Sequence, residues 1–168
     1  MRQSSSRGSS RNSPLWDFAT RIYADPEVQA ACLALQDDHG QCVSFLLWRL
    51  WALREGRPVA AALLGDAVLT ARTWESAATA PLRAVRRRLK TLPSTIPADG
   101  QGPLREAILA AELESEWLLL TALEAATPPP AGGLNPSPER ALAAATLAWG
   151  GAKAVPAKLL KVLAATCA

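Results

Sequence analysis

Chemistry-bearing side chains are scarce in this chain. His39 is the only histidine, so acid–base catalysis and His-ligated metal sites have little to build on. The cysteines, Cys32, Cys42 and Cys167, are odd in number and form no CxxC pair. That argues against a disulfide framework and for reduced thiols in a cytosol. Glycine-rich phosphate loops, HExxH and GxSxG are missing. The expectation is a protein that is not an enzyme, with no catalytic residue, no metal and no cofactor. Residues 43–53 form the longest apolar stretch, and Arg49 interrupts it. It falls well short of the ~20 residues that span a bilayer. The first residues, MRQSSSRGSSRNS, lack the apolar segment of a signal peptide. A cytoplasmic protein without a membrane span is expected.

Residues that favour strands are also few. There are two Phe, one Tyr and little Ile, and the 49% apolar content is mostly Ala and Leu. That palette forms helices and suffices for a core. The six Trp are scattered along the chain, as core anchors would be. Acidic residues are missing from 1–13, where Arg2, Arg7 and Arg11 stand. Removing those three from the 18 Lys+Arg leaves 15, against 15 Asp+Glu. The body is therefore neutral, which weakens a charge-based argument for nucleic-acid binding.

The chain divides into a disordered Ser/Arg tail (1–13), a helical core (14–126), a Pro/Gly linker (127–137) and a helical pair (138–168) expected to pack on the core. Ser13-Pro14, Asp25-Pro26 and Ser137-Pro138 are helix starts, each a capping side chain followed by proline at the first helical position. His39-Gly40 closes the second helix. The segment 43–54 is apolar almost all round, and is expected to be the buried hub of a compact all-α domain of six or seven helices. Pro58 is expected to start the fourth helix and Pro81 to kink or break it. The stretch 92–102 reads as a loop, with Pro103 opening a long acidic helix to about 126. Pro156 starts a short last helix.

The most informative constellation is a basic helix followed by an acidic one. Arg83, Arg86, Arg87 and Lys90 fall within about a 100° arc, with Leu82, Val85 and Leu89 facing away. Glu112 and Glu116 lie inside the apolar arc of the acidic helix, so they need partners. They either pair with Arg83, Arg86 or Arg87 inside one molecule, or meet a partner or second copy across an interface. Phosphate contacts by the same arginines are a further alternative. Asp37, Asp38, His39 and Cys42 read as a solvated helix end rather than a metal site. Arg49, the one charge in the hub, snorkels outward, pairs with Asp17, Asp37 or Asp38, or holds an anion at the rim of a pocket. Trp16, Trp48 and Trp51 are the candidate walls of that pocket.

The block LWDFATRIYADPEVQAACLALQDDHGQCVSFLLWRLWA (15–52) and the later APLRAVRRRLK (80–90), with a weaker AAELESE (110–116), carry a resemblance. They are similar to a family of short bacterial proteins classed as a domain of unknown function. The resemblance covers most of 15 to about 125 and implies a small helical fold. It brings no activity, ligand or catalytic residue, and the tail and linker look like additions peculiar to this sequence.

The leading expectation is thus a non-enzymatic interaction or adaptor protein of the bacterial cytoplasm. Its surface would comprise Arg83, Arg86, Arg87, Lys90, Glu112 and Glu116, meeting a protein partner or forming a homodimer. The alternatives are a nucleic-acid-associated protein using 82–90 and the tail, and a small-molecule or lipid binder using Trp16, Trp48, Arg49 and Trp51.

Overall fold

The computed structural model describes residues 13–91, 98–132, 135–151 and 153–167, with the backbone alone for 98–100. The expected tail, except Ser13, lies outside the described residues. So do residues 92–97 of the expected loop and 133–134 of the expected linker.

Every described element is helical, as the Ala- and Leu-rich composition requires. The first helix, α1 (Pro14–Tyr23), starts where Ser13 accepts a hydrogen bond from the Trp16 amide. The Ser13 hydroxyl also donates to Glu124, and the Leu15 amide reaches the same carboxylate at 3.2 Å. One cap therefore ties two distant segments together. Asp25 caps α2 (Pro26–His39) in the same way, accepting from the Glu27 and Val28 amides. Gly40 ends α2 at φ 62°, a left-handed conformation that glycine adopts without steric cost.

Helix α3 (Val43–Arg54) is the hub: residues 45–53 are all buried. α1 and α6 (Ala98–Ala126) pack on it, and so does α7 (Pro138–Trp149). The last helix, α8 (Ala157–Ala164), packs on α2 and α7 and ends in a 3-10 turn, Ala165–Cys167. Phe45 stacks on Trp48 at 5.5 Å between ring centroids and meets Trp149 at 5.8 Å. The polar edges of these rings are satisfied. Trp48 Nε1 donates to Thr127 Oγ1 at 2.8 Å, and Trp149 Nε1 to the Gly40 carbonyl at 2.8 Å. The candidate pocket residues Trp48, Arg49 and Trp51 are thus core residues.

Three boundaries differ from expectation. Helix α4 (Ala61–Trp74) begins three residues after Pro58. Pro103 lies inside α6, which starts at Ala98. A proline there forfeits one backbone hydrogen bond without ending the helix. Pro81 breaks nothing either. A π turn, Glu75–Thr79, joins α4 to α5 (Ala80–Arg88), and the Ala80 amide donates to the Glu75 carbonyl, an i to i+5 bond. The wider turn makes room for the proline ring one turn later. Counting α4–α5 as one rod, the described residues form seven helices, within the number expected, and contain no strand.

Candidate functional site: an apolar cavity edged by a carboxylate–guanidinium network

α5 runs antiparallel to α6, because contacts late in one helix meet residues early in the other. Trp74 and Thr79 meet Ser115, while Arg83 and Arg86 meet Glu112. The Thr79 and Ser115 hydroxyls lie 2.6 Å apart and are buried, and Trp74 Nε1 donates to the Ser115 carbonyl at 2.9 Å. These small polar residues bring the helices close and set their register.

On that register the charges converge. Glu112 is 4% exposed. Its carboxylate accepts from Arg83 Nε at 3.0 Å, from Arg86 Nη2 at 3.3 Å and from Arg86 Nε. Arg83 also donates to Glu75 at 2.7 Å and to Glu116 at 3.3 Å. The π turn explains how Glu75 reaches Arg83. Eight residues of regular α-helix would leave them about 80° apart, whereas absorbing one extra residue brings them within about 20°. Burial opposes the charge on Arg83, but its carboxylate neighbours prevail and raise its pKa. Glu116 moves the other way from an ordinary carboxylate: burial, with Glu112 and Glu75, pushes its pKa up despite Arg83.

Pairing inside one chain therefore joins Arg83, Arg86, Glu112 and Glu116. Arg87 pairs instead with Asp37 of α2. Burial pushes Asp37 upward, yet hydrogen bonds from Gln36 and Arg87 hold its carboxyl below the usual value. Lys90 is exposed. The apolar side of α5 is not fully covered. Val85 is 44% exposed, while the Arg83 side chain is only 12% exposed. The buried carboxylates of α6 and the π turn draw that arginine inward and turn the apolar side partly to solvent.

Next to this network lies a cavity of about 400 Å³ between α1, α2, α3 and α6. Trp16, Leu33, Leu47, Leu109, Leu113 and Leu120 supply apolar wall, and Tyr23, Gln36, Ser44, Arg86, Glu112 and Glu116 the polar part. Burial raises the pKa of Tyr23, with Cys32 and Glu116 adding to the effect, so its hydroxyl stays protonated at neutral pH. Of the four candidate pocket residues only Trp16 lines this cavity. Trp48 and Trp51 are 0% and 1% exposed within the core. Arg49 is 7% exposed and makes no ion pair with Asp17, Asp37 or Asp38 among the described residues. Burial lowers its pKa. α3 is enclosed on the side of Arg49 as well. Arg86, Glu112 and Glu116 of the expected charge constellation also line the cavity, whereas Tyr23, Leu33, Val43 and Leu109 carry no local signature and were missed.

A second groove, of about 550 Å³, lies between α4 and α6, with Leu69, Trp74 and Leu118 in its walls. At the end of α2, Cys42 is buried and its thiol is pushed up to about 12. Among the described residues no three His, Cys, Asp or Glu side chains gather as metal ligands. No helix among them is long and apolar enough to cross a membrane.

Comparison with known proteins places the chain in a family and goes no further. No curated protein and no solved structure matches it. The family described as "Protein of unknown function (DUF2390)" matches residues 14–123, the segment that builds both the charge network and the cavity, and the chain belongs to it.

Proposed function

We propose that this protein is a non-enzymatic binding module that receives a small amphipathic molecule in the cavity between α1, α2, α3 and α6. The observation that carries this reading is the cavity itself. Its volume falls within the roughly 300–1,000 Å³ of small-molecule sites, and it pairs apolar walls with a few convergent polar groups. A bacterial, cytoplasmic setting goes with the reading, supported by three unpaired cysteines. The charge network favours a pocket over a docking surface. Arg83, Arg86 and Arg87 all hold carboxylates of their own chain, which leaves fewer charges for a protein partner or a phosphate backbone.

The test is isothermal titration with 1-decanol, a neutral apolar probe, on the full chain and on Ser44→Phe, which fills the cavity. Saturable one-to-one binding that Ser44→Phe abolishes, with the circular dichroism spectrum unchanged, supports the reading. Absence of binding, or binding indifferent to Ser44→Phe, overturns it.

A second reading, protein–protein interaction, is favoured by a different observation. Leu69 is 68% and Leu118 43% exposed beside the α4–α6 groove. Large apolar side chains flanking one groove mark a docking face for a partner or second copy. If that face joins two copies, sedimentation shows a dimer that Leu69→Lys dissociates; a monomer at all concentrations removes the homodimer.

A further inference from the structure

The cavity has a polar end of unequal charge. Glu75, Glu112 and Glu116 face only two guanidinium groups, Arg83 and Arg86, in one connected network. The two arginines are not equally committed to the three carboxylates. Glu112 uses both of its oxygens: Oε1 takes Arg83 Nε and Arg86 Nη2, and Oε2 takes Arg86 Nε. Glu116 uses only Oε1, in the 3.3 Å contact from Arg83. Its Oε2 makes no hydrogen bond to any described residue, and the side chain, 28% exposed, is part of the cavity lining. Arg86, the one cation in that lining, has its fork turned onto Glu112. The lining therefore holds two carboxylates against one guanidinium, and the uncommitted acceptor belongs to a carboxylate.

We propose that the ligand is an amphipathic primary amine, whose apolar body fills the cavity and whose ammonium group donates a charge-assisted hydrogen bond to Glu116 Oε2. The inference rests on the pocket reading above and adds the class of its occupant. An ammonium group would supply the missing positive charge of the network. The neighbouring wall suits the rest of such a molecule, since Trp16, Leu109, Leu113 and Leu120 offer apolar surface to an alkyl or aryl body. A carboxylate head would instead meet two carboxylates and an arginine already engaged, and like-charge contact disfavours it.

The experiment titrates the full chain with 1-decylamine, 1-decanol and decanoate, each below its aggregation concentration, by calorimetry. The same three titrations are run on Glu116→Gln, with its fold checked by circular dichroism. The expected result is decylamine binding at least about tenfold more tightly than decanol, with decanoate weakest. Glu116→Gln then brings decylamine to the affinity of decanol and leaves decanol unchanged. Equal affinity for decylamine and decanol in the wild type overturns the assignment, whatever the variant does, as does tighter binding of decanoate. An amine preference that survives Glu116→Gln also overturns it. In those cases decanol binding still upholds the pocket. If decanol does not bind, the pocket reading falls, and this inference with it.

Discussion

Glu112→Ala is the substitution whose cost the structure defines best. The carboxylate is nearly fully buried and holds two arginines through three hydrogen bonds. Removing one partner of a fully buried ion pair costs about 3–5 kcal/mol, because a charge is left uncompensated. Two features reduce that figure here. Arg83 keeps Glu75 at 2.7 Å and Glu116 at 3.3 Å, so it is never left alone. Arg86 loses its carboxylate, but its side chain is 21% exposed and can turn toward water. The expected cost is therefore about 2–3 kcal/mol. For a chain of this length that lowers the melting temperature by roughly 4–12 °C. Urea unfolding followed by circular dichroism measures it. Glu106→Ala, an exposed carboxylate of the same helix, is the control and should change stability by no more than about 0.5 kcal/mol. A double-mutant cycle with Arg86→Ala should give a coupling of about 1–2 kcal/mol. The contrary result is a Glu112→Ala variant as stable as Glu106→Ala, or a cycle that returns no coupling. Either result would mean that the α5–α6 contact is not held by these charges in solution.

Other outcomes follow from the same contacts. Glu116 has a pKa raised above its ordinary 4.5, so the folded state binds its proton more tightly than the unfolded chain does. Its contribution is then fully present at low pH and is lost as pH rises from about 4.5 through the folded value. Glu116→Gln should match wild type in acid and gain on it as pH approaches 7 in parallel urea titrations. A difference that shrinks over that interval would reverse the sign of the argument. Arg49→Met removes a buried charge with no ion pair among the described residues, and should leave stability unchanged or raise it by up to about 1 kcal/mol. A clear loss in thermal unfolding would point to an uncounted partner. Burial pushes Cys32 and Cys42 up to about 12, whereas Cys167 is only half-buried. A thiol reagent at pH 8 should therefore titrate one cysteine in the native protein and three after unfolding.

Much of the architecture is legible in the sequence because it is written in local chemistry. Ser13-Pro14, Asp25-Pro26 and Ser137-Pro138 start helices through side chains that reach amides two or three residues on. The hub is legible because residues 45–53 leave almost no polar face, and a helix of that kind must be covered on all sides. The α5–α6 pairing follows from Glu112 and Glu116 standing in an apolar arc one turn apart, which obliges them to find cations. The π turn is not legible, because it answers a demand from another helix: Glu75 and Thr79 must face α6 together with Arg83. Pro81 marks the place, yet proline alone does not distinguish a break from a widened turn. The cavity is illegible for a related reason. Its lining comes from five helices, and of the expected pocket residues only Trp16 faces it, beside Arg86, Glu112 and Glu116 of the expected charge constellation. Trp48 and Trp51 belong to the all-round apolar hub and are buried in the core.

The most direct test of the cavity as a binding site is an indole-region NMR titration with decylamine, on protein labelled with nitrogen-15. Trp16 lines the cavity, Trp48 and Trp51 lie in the core, and Trp74 lines the other groove. A Trp16→Phe sample assigns the first signal, and Trp74→Phe assigns the one from the groove. A saturable shift of the Trp16 signal is expected while those of Trp48, Trp51 and Trp74 stay in place. A shift confined to Trp74, or no saturable shift at all, would contradict it.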